Sequence, residues 1–130
     1  MPYISFILPI YNMERLLPRA LRSLRAQTLT DFEAILINDG SKDGSAALCA
    51  QAAAGDARFR FIDQPNGGVA AARTAGLDAA RGEYIFFLDP DDWVEPDAAE
   101  VLYHAAQDAD ADCVEFGLYL DSYDETDQPL

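Results

Sequence analysis

Three aspartates within four residues, Asp89-Pro90-Asp91-Asp92, follow directly on the apolar run Tyr84 to Leu88. Asp89 and Asp91 lie two apart at the end of a strand-like segment, so both carboxylates can lean the same way. Mg²⁺ and Mn²⁺ take one or two such carboxylates and complete their shell with water and phosphate oxygens. A short D-x-D therefore suits a cation shared with a diphosphate. The same residues also suit a capped turn, stiffened by Pro90 and followed by a helix that Pro96 opens. Three more polar clusters each follow an apolar stretch: Pro9-Ile10-Tyr11-Asn12, Asn38-Asp39-Gly40-Ser41 and Asn66-Gly67-Gly68.

For these clusters to meet, the ends of several strands must come together. Tyr3 to Leu8 reads as a strand buried on both faces and stopped by Pro9. Leu16 to Ala26 places Leu17, Leu21 and Leu24 on one side and Arg19, Arg22 and Arg25 on the other. That is an amphipathic helix, with Pro18 in its first turn. Glu33 to Asn38 is a second buried strand, Ser45 to Ala54 an Ala-rich helix and Phe59 to Asp63 a third strand. Val69 to Ala80 is helical, with Gly82 as its stop. Tyr84 to Leu88 is a fourth strand, Pro96 to about Gln107 a helix, and Asp112 to Leu120 a fifth strand. Residues 121–130 are acidic and aperiodic, a tail or a severed connection. Strands separated by helices predict an α/β fold, a mostly parallel sheet with helices on both faces, in one domain over residues 1–120. Ligands bind such sheets beyond the carboxyl ends of the strands, where all four polar clusters fall.

Composition narrows the function. The chain has 130 residues, half of them hydrophobic, and carries a net charge of −14. A nucleic-acid grip needs Lys and Arg against phosphate, so this balance argues against one. All 9 basic residues and 8 of the acidic ones lie in residues 1–81, while residues 82–130 hold 15 acidic residues and no Lys or Arg. No apolar run approaches the roughly 18 residues of a spanning helix. The N-terminus lacks a basic lead-in, so the expected location is cytoplasmic, with the inner membrane face open to a full-length protein. Cys49 and Cys113 have no CxxC spacing and read as small buried hydrophobes in a reducing compartment. There is neither GxxxxGK[ST] nor a GxGxxG after the first strand, which excludes the usual P-loop and dinucleotide folds. Asp39, Ser41 and Asp43 start like a calcium loop, but its twelfth position is Ala50. His104 has no ligand partner one helical turn away and reads as solvated or structural.

Taken in order, ISFILPIYN, FEAILINDGSKDGS and NGGVAAARTAGLDAARGEYIFFLDPDDW resemble the family 2 glycosyltransferases of the GT-A fold, over about residues 3 to 118. The resemblance implies a Rossmann-like GT-A sheet and sugar transfer from a nucleotide diphosphate donor with inversion at the anomeric carbon. It implies Mn²⁺ or Mg²⁺ as cofactor and a UDP-sugar as the default donor, with GDP and dTDP open. The acceptor, a glycan, lipid or protein, stays open, and the setting is cell-wall or polysaccharide biosynthesis. By the same resemblance Pro9, Tyr11 and Asn12 line the nucleoside pocket, Tyr11 offering an aromatic face to a base. Glu14 matches a frequent acid of that segment, and a first-turn helix carboxylate explains it equally well. Asp39 matches the aspartate that accepts from the base N–H, and Ser41 follows in its loop; an Asx-turn and cap is the alternative. Asn66, Gly67 and Gly68 match the loop where bare backbone approaches the donor. Arg73 stands where the family has an arginine, either toward diphosphate or paired with the acidic loop. The family's Asn after it is Thr74 here. Asp91 is expected as the direct metal ligand, Asp89 as a contact to ribose or metal, Asp92 as third, and Trp93 as packing under the loop.

In the family, the base that activates the acceptor hydroxyl lies beyond the segment where this sequence ends. The chain is therefore expected to be a donor-binding half that binds nucleotide and transfers no sugar by itself. A sheet edge near 112–120 would be uncovered and favour self-association. Two other readings compete, a metal-dependent nucleotidyltransferase and a non-catalytic interaction module. The lack of a basic Gly-rich loop near residue 12 counts against the first, and the joint presence of Asp39, Asp89 and Asp91 against the second.

Overall fold

A computed structural model describes residues 2–117. Strands and helices alternate as β1 (Ile4–Ile10), α1 (Leu17–Arg25), β2 (Phe32–Asp39), α2 (Ser45–Gly55), β3 (Phe59–Gln64), α3 (Val69–Ala79), β4 (Tyr84–Phe87) and α4 (Ala98–Asp108). The sheet order is β3-β2-β1-β4, and every neighbouring pair is parallel.

The two central strands are buried at every position, as continuous apolar runs between two helical layers must be. Ile4, Phe6, Leu8 and Ile10 of β1 point into one layer, where α1 brings Leu17, Leu21 and Leu24, α2 brings Cys49 and Ala52, and α4 brings Ala99. Ile7, Ile35 and Ile37 point into the opposite layer, under Ala72 of α3. Gly76 lets α3 settle there, because a Cβ at this position would collide with the Ile7 side chain and stand 3.0 Å from Ile37 Cδ1. The chain order reverses between β1 and β4, so the loops after these two strands flank a topological switch point, the usual place for a ligand crevice.

Several sequence expectations need correction. Pro9 does not stop β1, which continues to Ile10 with Pro9 paired to Ile37. Tyr3 and Ile7 turn their carbonyls to β4, so Pro9 faces that side too, beyond the last β4 partner, where its missing N–H leaves no ladder bond broken. Residues 112–117 form no strand, and 118–120, with the acidic segment 121–130, lie outside the described residues. Among the described residues β4 is one edge strand of the sheet and β3 the other, and the β4 side chains Ile85 and Phe87 are exposed. Gly82 does not stop α3, which ends at Ala80 in extended conformation. Gly82 instead packs against β1, where a Cβ would come within 2.6 Å of the Ser5 nitrogen. Beside it, buried Glu33 accepts from Ser5 Oγ and the Arg81 N–H, both at 2.6 Å, and pairs with Arg60 at 2.8 Å. Burial pushes the Glu33 pKa up, but these partners outweigh it and hold the carboxyl below its ordinary value. This network ties the starts of the strands together, at the end of the sheet opposite the polar clusters.

Candidate functional site

All four polar clusters lie on the carboxyl rim of the sheet. Asn12 adopts a left-handed φ of 51°, which asparagine tolerates well. Its N–H donates to Ser41 Oγ at 3.0 Å, and its Oδ1 accepts from the Lys42 N–H at 2.8 Å. The Met13 N–H donates to Ser45 Oγ at 2.9 Å and the Glu14 N–H to Asp43 Oδ2 at 3.2 Å. These bonds stitch the loop after β1 to the loop after β2, with Ser41 Oγ as one of the ties. Glu14 precedes α1, so it is not a first-turn carboxylate. Its carboxyl group lies over Gly44, where a Cβ would meet Glu14 Cδ at 2.8 Å. Pro9 is buried, while Tyr11 is 43% exposed and presents its ring at the rim.

Asp39 organises the next loop. It is buried, with Oδ1 accepting from the Gly67 N–H at 2.9 Å and Gln64 Nε2 at 3.1 Å, and Oδ2 from the Gly68 N–H at 3.0 Å. Asn66 Nδ2 donates to the Asp39 carbonyl at 3.0 Å. Burial raises the carboxyl's pKa, yet the donors outweigh it, so Asp39 stays ionised below the usual range. The Gly67 and Gly68 N–H groups are thus engaged by Asp39, and the carboxylate fixes this loop while keeping acceptor capacity beyond its three donors. Gly40, at φ 74°, allows the crossing, since a Cβ there would stand 2.7 Å from the Asn66 nitrogen.

The acidic loop after β4 brings one carboxylate oxygen of each of Asp89, Asp91 and Asp92 within 4.8 Å of the others, all exposed. Three hard oxygen donors around one centre fit Mg²⁺ or Mn²⁺. Partial burial and the charges of Asp91 and Asp89 raise the Asp92 pKa against the pull of Arg19. Such crowding is what a divalent cation relieves. Arg73 reaches over from α3, its Nη2 3.5 Å from Asp89 Oδ1. That is the acidic-loop option of its two expected uses, and at this exposure the pair adds little stability. Thr74 back-bonds to the Ala70 carbonyl at 2.9 Å, so its hydroxyl serves the helix.

Sequence reasoning missed the support of this loop. Arg19, Ser23 and Gln27, four residues apart along and just past α1, all bond to the segment Asp91 to Ala99. Arg19 Nη2 donates to the Asp91 carbonyl at 3.0 Å, and its guanidinium lies 3.9 Å over the Trp93 ring. Ser23 Oγ accepts from the Val94 N–H at 3.3 Å. Buried Gln27 donates to the Glu95 carbonyl at 2.7 Å and accepts from the Ala99 N–H at 2.9 Å. Arg19 therefore does not share the solvent side with Arg22 and Arg25, and Trp93 is its platform. The i, i+4, i+8 polar spacing was the available signal, hidden by the arginine periodicity of the helix.

Away from the rim, an apolar cavity of about 350 Å³ lies between the start of β4, α4 and residues 112–116, and none of the polar clusters lines it. Cys113 is exposed, unlike Cys49, whose thiol burial pushes up to about 12. His104 is exposed against the edge of Tyr103. No helix among the described residues is long and apolar enough to cross a membrane.

A parallel sheet with a switch point, a rim of interlocked polar loops and a carboxylate cluster beyond β4 define a GT-A-type α/β domain. The sequence profile of Glycosyl transferase family 2 matches residues 5–130, and the chain belongs to that family. The uncharacterized glycosyltransferase EpsJ of Bacillus subtilis (strain 168) is 43% identical over 123 residues, covering 95% of this chain and 36% of EpsJ. Glycosyltransferase GlyG of Streptococcus pneumoniae serotype 4 is 41% identical over 125 residues, covering 95% of this chain and 41% of GlyG. The chain thus spans well under half the length of either relative. S. aureus TarS 1–349, solved in complex with UDP-GlcNAc, superposes with a TM-score of 0.71 at 29% identity over 83% of this chain and 31% of that one. The fold is shared as well by the mannosyltransferase PcManGT of Pyrobaculum calidifontis, solved with GDP-Man and Mn²⁺, at a TM-score of 0.70 and 22% identity, over 82% of this chain and 32% of that one.

Proposed function

We propose that residues 1–120 are the donor-binding domain of an inverting glycosyltransferase and bind a nucleotide diphosphate sugar, a UDP-sugar first of all, at the carboxyl rim. The observation that carries this reading is the carboxylate triad Asp89, Asp91 and Asp92 at the switch point of a family 2 chain. TarS, solved with UDP-GlcNAc, supports a uridine donor. Tyr11 and Asn12 form the base-facing side of the crevice, backed by Pro9. Asp39 serves the site by holding Asn66, Gly67 and Gly68 in place. Ser41 and Glu14 keep the two neighbouring loops in register. Asp91, with Asp89 and Asp92, holds Mn²⁺ or Mg²⁺, and Arg73 keeps Asp89 paired in its absence. The bound cation would neutralise charge that grows on the nucleoside diphosphate as the glycosidic bond breaks. The acceptor hydroxyl attacks from the opposite face, which inverts the anomeric carbon. No general base is assigned among the described residues.

Calorimetric titration with UDP and with UDP-GlcNAc, with and without Mn²⁺, tests this function. Binding is expected only with Mn²⁺, and Asp91→Ala should abolish it while circular dichroism stays unchanged. A folded chain that binds no nucleotide diphosphate with metal present would overturn the proposal.

A further inference from the structure

We propose that Arg19 is a positioning residue for the cation-binding loop, and that this cationic side chain raises the loop's affinity for a second cation. The inference rests on the reading of Asp89, Asp91 and Asp92 as a metal site. A loop carrying three carboxylates within 4.8 Å of one another repels itself and tends to spread. Backbone contacts that fix the loop's course counter that spreading; Arg73, by contrast, engages a carboxylate, Asp89 Oδ1, at 3.5 Å.

Arg19 acts on the loop's backbone: its Nη2 donates to the Asp91 carbonyl at 3.0 Å. Its guanidinium carbon lies 3.9 Å from the Trp93 ring centroid, two residues further on. One planar guanidinium that donates to a carbonyl while lying over a ring is a use of arginine that the point charge of lysine does not reproduce. Ser23 and Gln27 continue the clamp along the same stripe of α1, to Val94, Glu95 and Ala99. The loop is thus moored to a rigid helix on the side away from α3. Outer-shell groups that orient metal ligands are commonly worth ten- to hundredfold in metal affinity, and a hold on the backbone that carries the ligands acts at the low end of that range.

Positioning and plain electrostatics predict opposite signs. If Arg19 acted only as a charge, its removal would strengthen Mn²⁺ binding, since one repelling cation is gone. If it positions the loop, its removal weakens binding. The free-ion electron paramagnetic resonance signal of Mn²⁺ titrated with the 130-residue chain reads this directly. Arg19→Ala is expected to bind Mn²⁺ about tenfold more weakly. Arg19→Lys, which keeps the charge and loses the planar stack, should remain several-fold weaker than the parent. Trp93 is the sole tryptophan, so its fluorescence gives a readout that needs no metal. Both variants should show red-shifted emission and easier acrylamide quenching with unchanged thermal unfolding. Mn²⁺ affinity equal to or tighter than the parent in Arg19→Ala would overturn the proposal, as would unaltered Trp93 emission. If the parent chain itself binds no Mn²⁺, the metal-site reading fails and the affinity claim falls with it. The Trp93 measurement then still decides whether Arg19 holds the loop.

Discussion

Asp39 shows how one side chain can organise a site it was expected only to line. Its type and place at the end of β2 were readable from INDGS, but its partners were not. Gly67 and Gly68 lie 28 and 29 residues away, and only the β2–β3 pairing brings them to its oxygens. Asp39→Asn replaces an acceptor oxygen with a donor facing backbone N–H groups. The expected cost is about 1 to 3 kcal/mol of stability at neutral pH, read by urea unfolding. The sign of the pH dependence follows from the lowered pKa. The stabilisation from Asp39 is full above the ordinary aspartate value, near about 3.9, and fades as pH falls through the lower folded value. The difference between parent and variant should therefore shrink in acid. A difference that persists unchanged would mean that the carboxylate's charge plays no part in holding the loop.

At the scale of elements, the alternation of apolar runs with amphipathic segments was enough to locate the four parallel strands and their helices. Ends were less readable because they depend on neighbours. Pro9 stays in β1 because β4 is short, and Gly82 is small because β1 lies against it. The run Asp112 to Leu120 looks like a strand, yet its described part finds no ladder partner, and propensity without a partner makes no strand. Gly76 carries a testable consequence. Ala is the better helix former, but Gly76→Ala drives a methyl into Ile7 and Ile37 and should cost about 1 to 3 kcal/mol. A raised unfolding midpoint would mean that α3 rides farther from the sheet than described.

For the molecule as a whole, the uneven charge has a local resolution. The acidic half carries the carboxylate cluster after β4, and the basic half supplies Arg19 from α1 and Arg73 from α3 to that loop. The charge split was visible in the sequence, but this juxtaposition needs two helices on opposite faces of the sheet. On the proposed function, metal and nucleotide meet at one rim, at the switch point. Amide spectra of the ¹⁵N-labelled chain, recorded with UDP and diamagnetic Mg²⁺ and then with trace Mn²⁺, test it. UDP should shift Tyr11, Asn12, Gly67 and Gly68, and Mn²⁺ should broaden Asp89 to Trp93 first, leaving Glu33 and Gly82 untouched at the far end. Perturbations confined to the apolar cavity beside Tyr84 and Tyr103, or spread without regard to the rim, would contradict the account.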